Sequence, residues 1–238
     1  MTQNLPQTSK LKQLVNDYQI NPEQLDRLVK ITEELSLSGD TPTQDSKETI
    51  QAMWSFPSLP AVFIHIIYTS YTLFEYLECC QDQNQLSILR SIIYLSAQIA
   101  EIPSSATEML SLKFPVYFFP ILKSKFTPED IKSLIVSLFI VILKQTDGQF
   151  FIRNEVSSIL IFELANTKST TIHGSLILLQ TLIDKQPHYY NDQKRKRALL
   201  EALQKYVQQA QPYGQRSDIQ KNISIASSII TKIEKLEA

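Results

Sequence analysis

A chain of 238 residues, 43% apolar and 20% charged, can bury a substantial core, and this composition excludes a largely disordered protein. Its 23 basic and 24 acidic residues nearly cancel, so only a local basic patch could bind nucleic acid. The two cysteines, Cys79 and Cys80, are adjacent, which suits neither a disulfide framework nor a zinc site. We predict that both are reduced thiols.

The apolar segments are too short to cross a membrane. The first ten residues, MTQNLPQTSK, lack the apolar stretch of a signal peptide. Each long apolar run is broken by proline or charge within about 17 residues, and a membrane span needs roughly 20. We therefore expect an intracellular, soluble protein that does not bind membranes.

Helix signals run along the whole chain, and glycine is scarce. Only four glycines are present, too few for phosphate-binding loops or a sheet with tight hairpins. Between the helix-start signals, apolar residues recur at helical spacing, as in Ile131, Leu134, Ile135 and Leu138. The start signals, in chain order, are Asn21-Pro22, Ser46, Pro60, Ser105, Thr127-Pro128, Asn154 and Ser217. The pattern predicts an all-α protein of about ten or eleven helices.

The helix-start signals also recur at a regular spacing along the chain. From Pro60 through Pro103 and Pro128 to Thr171, a new unit of two or three helices begins roughly every 40 residues, which is the period of armadillo and HEAT repeats. We therefore predict an armadillo/HEAT-like right-handed helical-repeat solenoid over residues 46–238. Residues 1–45 are predicted to form an N-terminal helix and a polar linker.

Side chains with catalytic potential are few. Trp54 is predicted to anchor the core, and His65 and His173 lie on apolar helical faces, where core or rim positions are expected. The sequence contains no nucleophile elbow, phosphate loop or histidine spacing typical of a metal site. We predict a protein that is not an enzyme and has no catalytic residue, metal or cofactor.

One basic run stands out. Lys194, Arg195, Lys196 and Arg197 most simply form a solvated helix start, and they are also the candidate contact with nucleic acid.

Four segments resemble landmarks of one family, in the same order. They are residues 54–73, IPSSATEMLSLKFPVYFFPILK at 102–123, VSLFIVILKQTD at 136–147 and SLILLQTLI at 175–183. The family is the required-for-cell-differentiation family, the armadillo-repeat subunit of the Ccr-Not deadenylase complex. Each segment alone is a core pattern, whereas the order and spacing over about 130 residues make the resemblance fairly specific.

The resemblance implies a non-catalytic adaptor. Members of the family bind a helical segment of the large Not scaffold and recruit regulator peptides and RNA-binding proteins, which leads to mRNA deadenylation, decay and translational repression. A cytoplasmic protein, present also in the nucleus, is expected, and a homodimer is compatible with the resemblance. Direct nucleic-acid binding is a weak expectation.

The resemblance also places a peptide groove. Carried over position by position, its residues are Ser55, Pro57, Ala61 and Tyr68, two of which differ chemically from the family pattern. The family's second surface, a pair of tryptophan-binding pockets, maps to a compressed region from Gln186 to Lys194, and no residue is assigned to it.

Two other hypotheses stay open at this stage. The repeat pattern alone would also suit an armadillo or HEAT scaffold of an unrelated complex. A helical nucleic-acid-binding protein built around the run from Lys194 to Arg197 is the second alternative, and it predicts a steep loss of affinity with salt.

Overall fold

The computed structural model describes residues 12–17, 26–37, 48–49, 52–55, 59–76, 83–165 and 170–236. Over these ranges the chain is helical apart from short turns and contains no strand, so the all-α prediction is confirmed. The chain divides into two compact units, Met1–Phe118 and Phe119–Ala238. The predicted boundary between residues 45 and 46 falls outside the described residues and stays a prediction, as do the states of Cys79 and Cys80.

The first unit is built around one long helix. Residues 12–17, 48–49 and 52–54 of this unit are helical. The longer elements are α1 (Asp26–Leu37), α2 (Leu59–Tyr76), α3 (Gln83–Ala100), α4 (Pro103–Ser111) and a 3-10 helix (Phe114–Phe118). Helix α3 contacts α1, α2 and α4, and it does so with the fully buried side chains of Leu89, Ile92 and Ile93 among others. The 3-10 helix packs against α2 and α4.

Trp54 lies in the core of the first unit, as predicted. It is 3% exposed, and its ring centroid lies 6.4 Å from that of Phe63 on α2 and 6.0 Å from that of Phe114. Phe114 in turn meets Phe118 edge-on at 5.4 Å. Edge-to-face aromatic packing of this kind adds to the stabilisation from burial.

The second unit stacks helices in pairs. Its helices are α5 (Phe119–Lys123), α6 (Glu129–Gln145), α7 (Gln149–Arg153), α8 (Val156–Leu164), α9 (Ile172–Lys185), α10 (Gln193–Ala210) and α11 (Ser217–Glu234), with 3-10 helices at Pro187–Asn191 and Gln211–Tyr213. Helix α9 packs between α6 and α11, while α10 contacts α8 and α11. The pair α8–α9 therefore packs against the pair α10–α11.

Close packing between α6 and α9 depends on a glycine. A Cβ atom added to Gly174 would lie 2.9 Å from Cγ1 of Val136 on α6, which is closer than such atoms approach in proteins. The absence of a side chain at Gly174 therefore lets the two helices approach.

The helix starts agree with the sequence signals in most places. Helix α6 begins directly after Pro128 and α11 begins at Ser217. The start predicted at Ser105 is wrong: α4 begins at Pro103, because the proline has no N–H that needs a partner in the first turn and Ala106 already donates to the carbonyl of Ile102. Ser105 is consequently buried inside the helix.

Among the residues that the structure describes, no helix is both long enough and apolar enough to span a bilayer.

Candidate functional site

Helix α2 presents one buried and one exposed stripe. Leu59, Phe63 and Ile67 are completely buried, at the i, i+4, i+8 spacing of one helical face. On the other side, Ala61 and Tyr68 are exposed, and Tyr68 retains 61% of its accessible surface. Ala61 and Tyr68 are therefore accessible on one side of α2, and their role in partner binding stays a prediction.

The other two residues of the predicted groove precede α2. Ser55 is exposed in the turn after Trp54, whereas Pro57 lies outside the described residues. The Trp54 ring packs against Phe63, so its chain neighbour Ser55 is held near the first half of α2. Three of the four predicted residues are therefore exposed.

His65 belongs to the same exposed stripe, which the sequence analysis missed. It lies four residues after Ala61 and three before Tyr68, a spacing that places all three on one side of the helix. His65 was expected in the core or at its rim. The His65 side chain is exposed, so it does not belong to the core. We call Ala61, His65 and Tyr68 the α2 stripe.

The basic run occupies the first turn of α10, as predicted for a solvated helix start. The Asp192 carboxylate caps this turn by accepting the Arg195 backbone N–H at 2.9 Å, a cap that the sequence analysis did not identify. Lys194, Arg195 and Arg197 are exposed, and Lys196 is half-buried.

Three of the four basic side chains are already engaged. The Arg195 guanidinium lies 4.3 Å from the centre of the Tyr189 ring, and Lys196 donates to the backbone carbonyl of Leu236. The hydrogen bond from Arg197 to the Glu201 carboxylate, at 2.7 Å, raises the pKa of Arg197. Only Lys194 in this run has no side-chain partner in the described part of the structure, so the run is not a free basic patch.

Two open hollows flank α8 in the second unit. Each measures about 450 Å³, and both are bordered by Glu155 and Ser158. The first extends to Tyr189 and the start of α10, and the second extends to α5. No sequence motif predicted either hollow, although the basic run contributes Lys194 and Arg195 to the first.

A buried ion pair holds α6 against α8. The Lys132 ammonium donates to Glu163 Oε1 at 3.1 Å, and the two side chains are 7% and 3% exposed. Burial raises the pKa of Glu163, against the opposing effect of the Lys132 charge. Because the pair is enclosed, we assign it to packing of the two helices.

The remaining histidines and acids form no metal site in the regions that the structure describes. No group of three or more His, Cys, Asp or Glu side chains is suitably placed there. His173 is exposed, and its Nδ1 lies 2.7 Å from Oδ1 of Asn222, a contact that joins α9 to α11.

Comparison with protein-family models, with curated proteins and with solved structures found no match to this chain.

Proposed function

We propose that this protein is a non-catalytic adaptor of the Ccr-Not type. It binds a helical segment of the large Not scaffold and recruits regulator peptides and RNA-binding proteins, so that bound mRNAs are deadenylated, degraded or translationally repressed in the cytoplasm and nucleus. The observation that carries the proposal is the α2 stripe, which is accessible at two of the residues that the family resemblance assigns to peptide binding, Ala61 and Tyr68.

The chemistry of the α2 stripe suits peptide recognition. Ala61 has a small side chain, so a partner's backbone or an apolar anchor can approach the helix closely. Tyr68 offers an apolar ring with a hydrogen-bonding hydroxyl, and tyrosine is among the residues that contribute most to binding energy in protein interfaces. An amphipathic helix or an extended segment can lie along such a surface.

The proposed architecture is an armadillo/HEAT-like right-handed solenoid. The packing of α8–α9 against α10–α11 supports it, because helix pairs that stack on the next pair are the building principle of such proteins. An adaptor of this kind requires no catalytic residue, metal or cofactor, and the proposal assigns none.

Nucleic-acid binding is the less favoured alternative. It would rest on the basic run, in which Arg195, Lys196 and Arg197 already contact Tyr189, Leu236 and Glu201. Those contacts weigh against a surface that follows a phosphate backbone.

The test is affinity purification of the tagged full-length chain from native extract, followed by mass spectrometry. We expect the large Not scaffold and the deadenylase subunits to co-purify, and the purified scaffold segment to bind the chain directly. Recovery of a different complex without any Ccr-Not subunit would instead support the hypothesis of an unrelated scaffold. Sedimentation equilibrium of the purified chain distinguishes a monomer from a homodimer, which the sequence leaves open.

A further inference from the structure

Three charged side chains lie close together where α6, α8 and α9 meet. The Lys132 ammonium lies 3.1 Å from Glu163 Oε1, and both side chains are almost completely enclosed. Glu129 precedes Lys132 by three positions on α6, so these two side chains lie on the same side of that helix. Glu129 Oε2 also accepts a hydrogen bond at 2.9 Å from the hydroxyl of Thr171, the residue directly before α9. Lys132 therefore has two carboxylates within reach, one on α8 and one on its own helix.

The two carboxylates differ in their surroundings. Glu163 is buried in the last turn of α8, whereas Glu129 is half-buried in the first turn of α6. The dipole of α6 stabilises a negative charge at Glu129, while the dipole of α8 opposes one at Glu163. A proton that reaches this cluster therefore binds to Glu163 in preference to Glu129.

The charges around Glu163 favour the same assignment. Burial raises the pKa of Glu163, the hydrogen bond and charge of Lys132 lower it, and the charge of Glu129 raises it further. Helices α5, α7, α9 and α10 also pack against α8, and within the described residues none of their titratable side chains adds to these charges. Glu163 therefore takes up a proton above the ordinary pKa of glutamate, and Glu129 is then the carboxylate of the cluster that keeps its charge.

We propose that Lys132, Glu163 and Glu129 form a proton-operated switch. When the Glu163 carboxylate takes up a proton from solvent, the Lys132 ammonium turns to the Glu129 carboxylate, and the last turn of α8 is released from α6. The change needs only rotation of the Lys132 side chain, because Glu129 lies one helical turn away on the same helix. This inference goes beyond the proposed function and uses none of the residues of the α2 stripe.

The switch acts locally and does not unfold the protein. A carboxyl group whose pKa is higher in the folded state than in the unfolded state binds more protons when the chain is folded. The contribution of Glu163 therefore makes the folded state more stable as the pH falls through that raised pKa. Acid should thus loosen the end of α8 while the helical content of the protein persists.

The titration of Glu163 is measured directly. Carboxyl-carbon NMR of the isotope-labelled full-length chain follows each glutamate from about pH 7.5 to about pH 4, a range that extends above and below the ordinary glutamate pKa. We expect the Glu163 carbon to titrate above the ordinary value and the Lys132 Nζ resonance to shift over the same pH interval. Hydrogen exchange should show that protection of the amides in the last turn of α8 falls at least about tenfold over that interval, while the circular dichroism spectrum stays constant.

Two variants hold the switch in defined states. Glu163→Gln carries a neutral side chain of nearly the same shape, so the end of α8 should exchange rapidly even at about pH 7.5 and show no further effect of acid. Glu129→Gln removes the second carboxylate, so protonation of Glu163 should move to lower pH. Asp130→Asn is the matched control: it neutralises an exposed acid in the same first turn of α6 and should leave the transition unchanged.

Three results would overturn the switch. The first is a Glu163 carboxyl group that titrates at or below the ordinary glutamate value. The second is protection at the end of α8 that stays constant through the Glu163 titration, or that is lost together with the helical spectrum of the whole chain. The third is a Glu129→Gln variant with the same transition as the wild type, which would show that Lys132 does not turn to Glu129. Each measurement uses the chain without a partner, so failure here is separable from failure of the proposed function.

Discussion

The indole N–H of Trp54 donates a hydrogen bond to Oε2 of Glu108, 3.0 Å away and 54 residues later in the chain. The contact joins the segment before α2 to α4, while the Trp54 ring packs against Phe63 and Phe114. Trp54 is the only tryptophan of the protein and is 3% exposed, so it supports the first unit mainly through burial.

We expect Trp54→Ala to lower the free energy of unfolding by about 3–5 kcal/mol, through lost burial and the cavity that remains. Urea denaturation followed by far-UV circular dichroism measures the change. Trp54→Phe is the control: it retains an aromatic ring and should cost clearly less. An alanine variant that unfolds like the wild type but loses a partner would make Trp54 a binding residue instead of a core residue.

The ion pair between Lys132 and Glu163 gives a second prediction. Glu163→Ala leaves the Lys132 ammonium buried without its carboxylate, which should cost about 3–5 kcal/mol of stability. The double variant Lys132→Met/Glu163→Leu should recover most of that loss, because two apolar side chains of similar size need no ionic partner. A double variant as unstable as Glu163→Ala would show that the site does not accept apolar side chains.

Stability at alkaline pH should depend on Tyr190. Burial raises the pKa of Tyr190 to about 12, and its hydroxyl lies 2.6 Å from Oγ of Ser157. The folded state therefore holds the phenol proton more tightly than the unfolded state does. The resulting stability is complete below about pH 10, the ordinary pKa of tyrosine, and is lost as the pH rises towards about 12.

Tyr190→Phe tests this assignment. Relative to wild type, the variant should lose less stability between about pH 10 and about pH 12, as measured by urea denaturation at each pH. At neutral pH it should be less stable by about 1–3 kcal/mol, because the buried Ser157 hydroxyl loses its partner. Tyr213→Phe, at an exposed tyrosine, is the control and should keep the alkaline loss. The same alkaline loss in Tyr190→Phe would contradict the assignment.

Gly174 should resist a substitution that normally stabilises helices. In a helix interior, alanine is favoured over glycine by up to about 1 kcal/mol. Here the added methyl group would meet Val136 at 2.9 Å, so we expect Gly174→Ala to destabilise the protein by about 1–3 kcal/mol through overpacking. Val136→Ala in the same chain should relieve part of this cost, and a more stable Gly174→Ala variant would show that α6 and α9 can separate.

The sequence predicted the local features and missed those that depend on tertiary structure. Helical periodicity and the single tryptophan were sufficient to predict an all-α protein, a buried Trp54 and a shared face for Ala61 and Tyr68. They were not sufficient for α8, where the run VSSILIFEL is apolar on every side and periodicity cannot tell which side is covered. The exposure of Phe162 follows from packing alone.

The sequence patterns also could not predict which side chains pair when the two residues lie far apart in the chain. Lys132 and Glu163 are 31 residues apart in the chain, and each is a residue type that is common on exposed helix surfaces. The cap of α10 by Asp192 could have been identified, because an acidic residue three positions before Arg195 is a known helix-start signal. The basic run that follows Asp192 was interpreted as a candidate contact with nucleic acid. In the structure, three of its four side chains already contact other residues of the protein.

The most direct test of the adaptor proposal is the Ala61→Glu variant. Because Ala61 is exposed, the variant should keep the wild-type circular dichroism spectrum and a nearly unchanged melting temperature. Its affinity for a regulator that co-purifies with the wild-type chain should fall at least about tenfold, or roughly 1.4 kcal/mol, while binding of the large Not scaffold persists. Phe63→Ala, on the buried face of the same helix, is the control and should lower the melting temperature. A folded Ala61→Glu protein that binds every partner like the wild type would contradict the assignment of the α2 stripe.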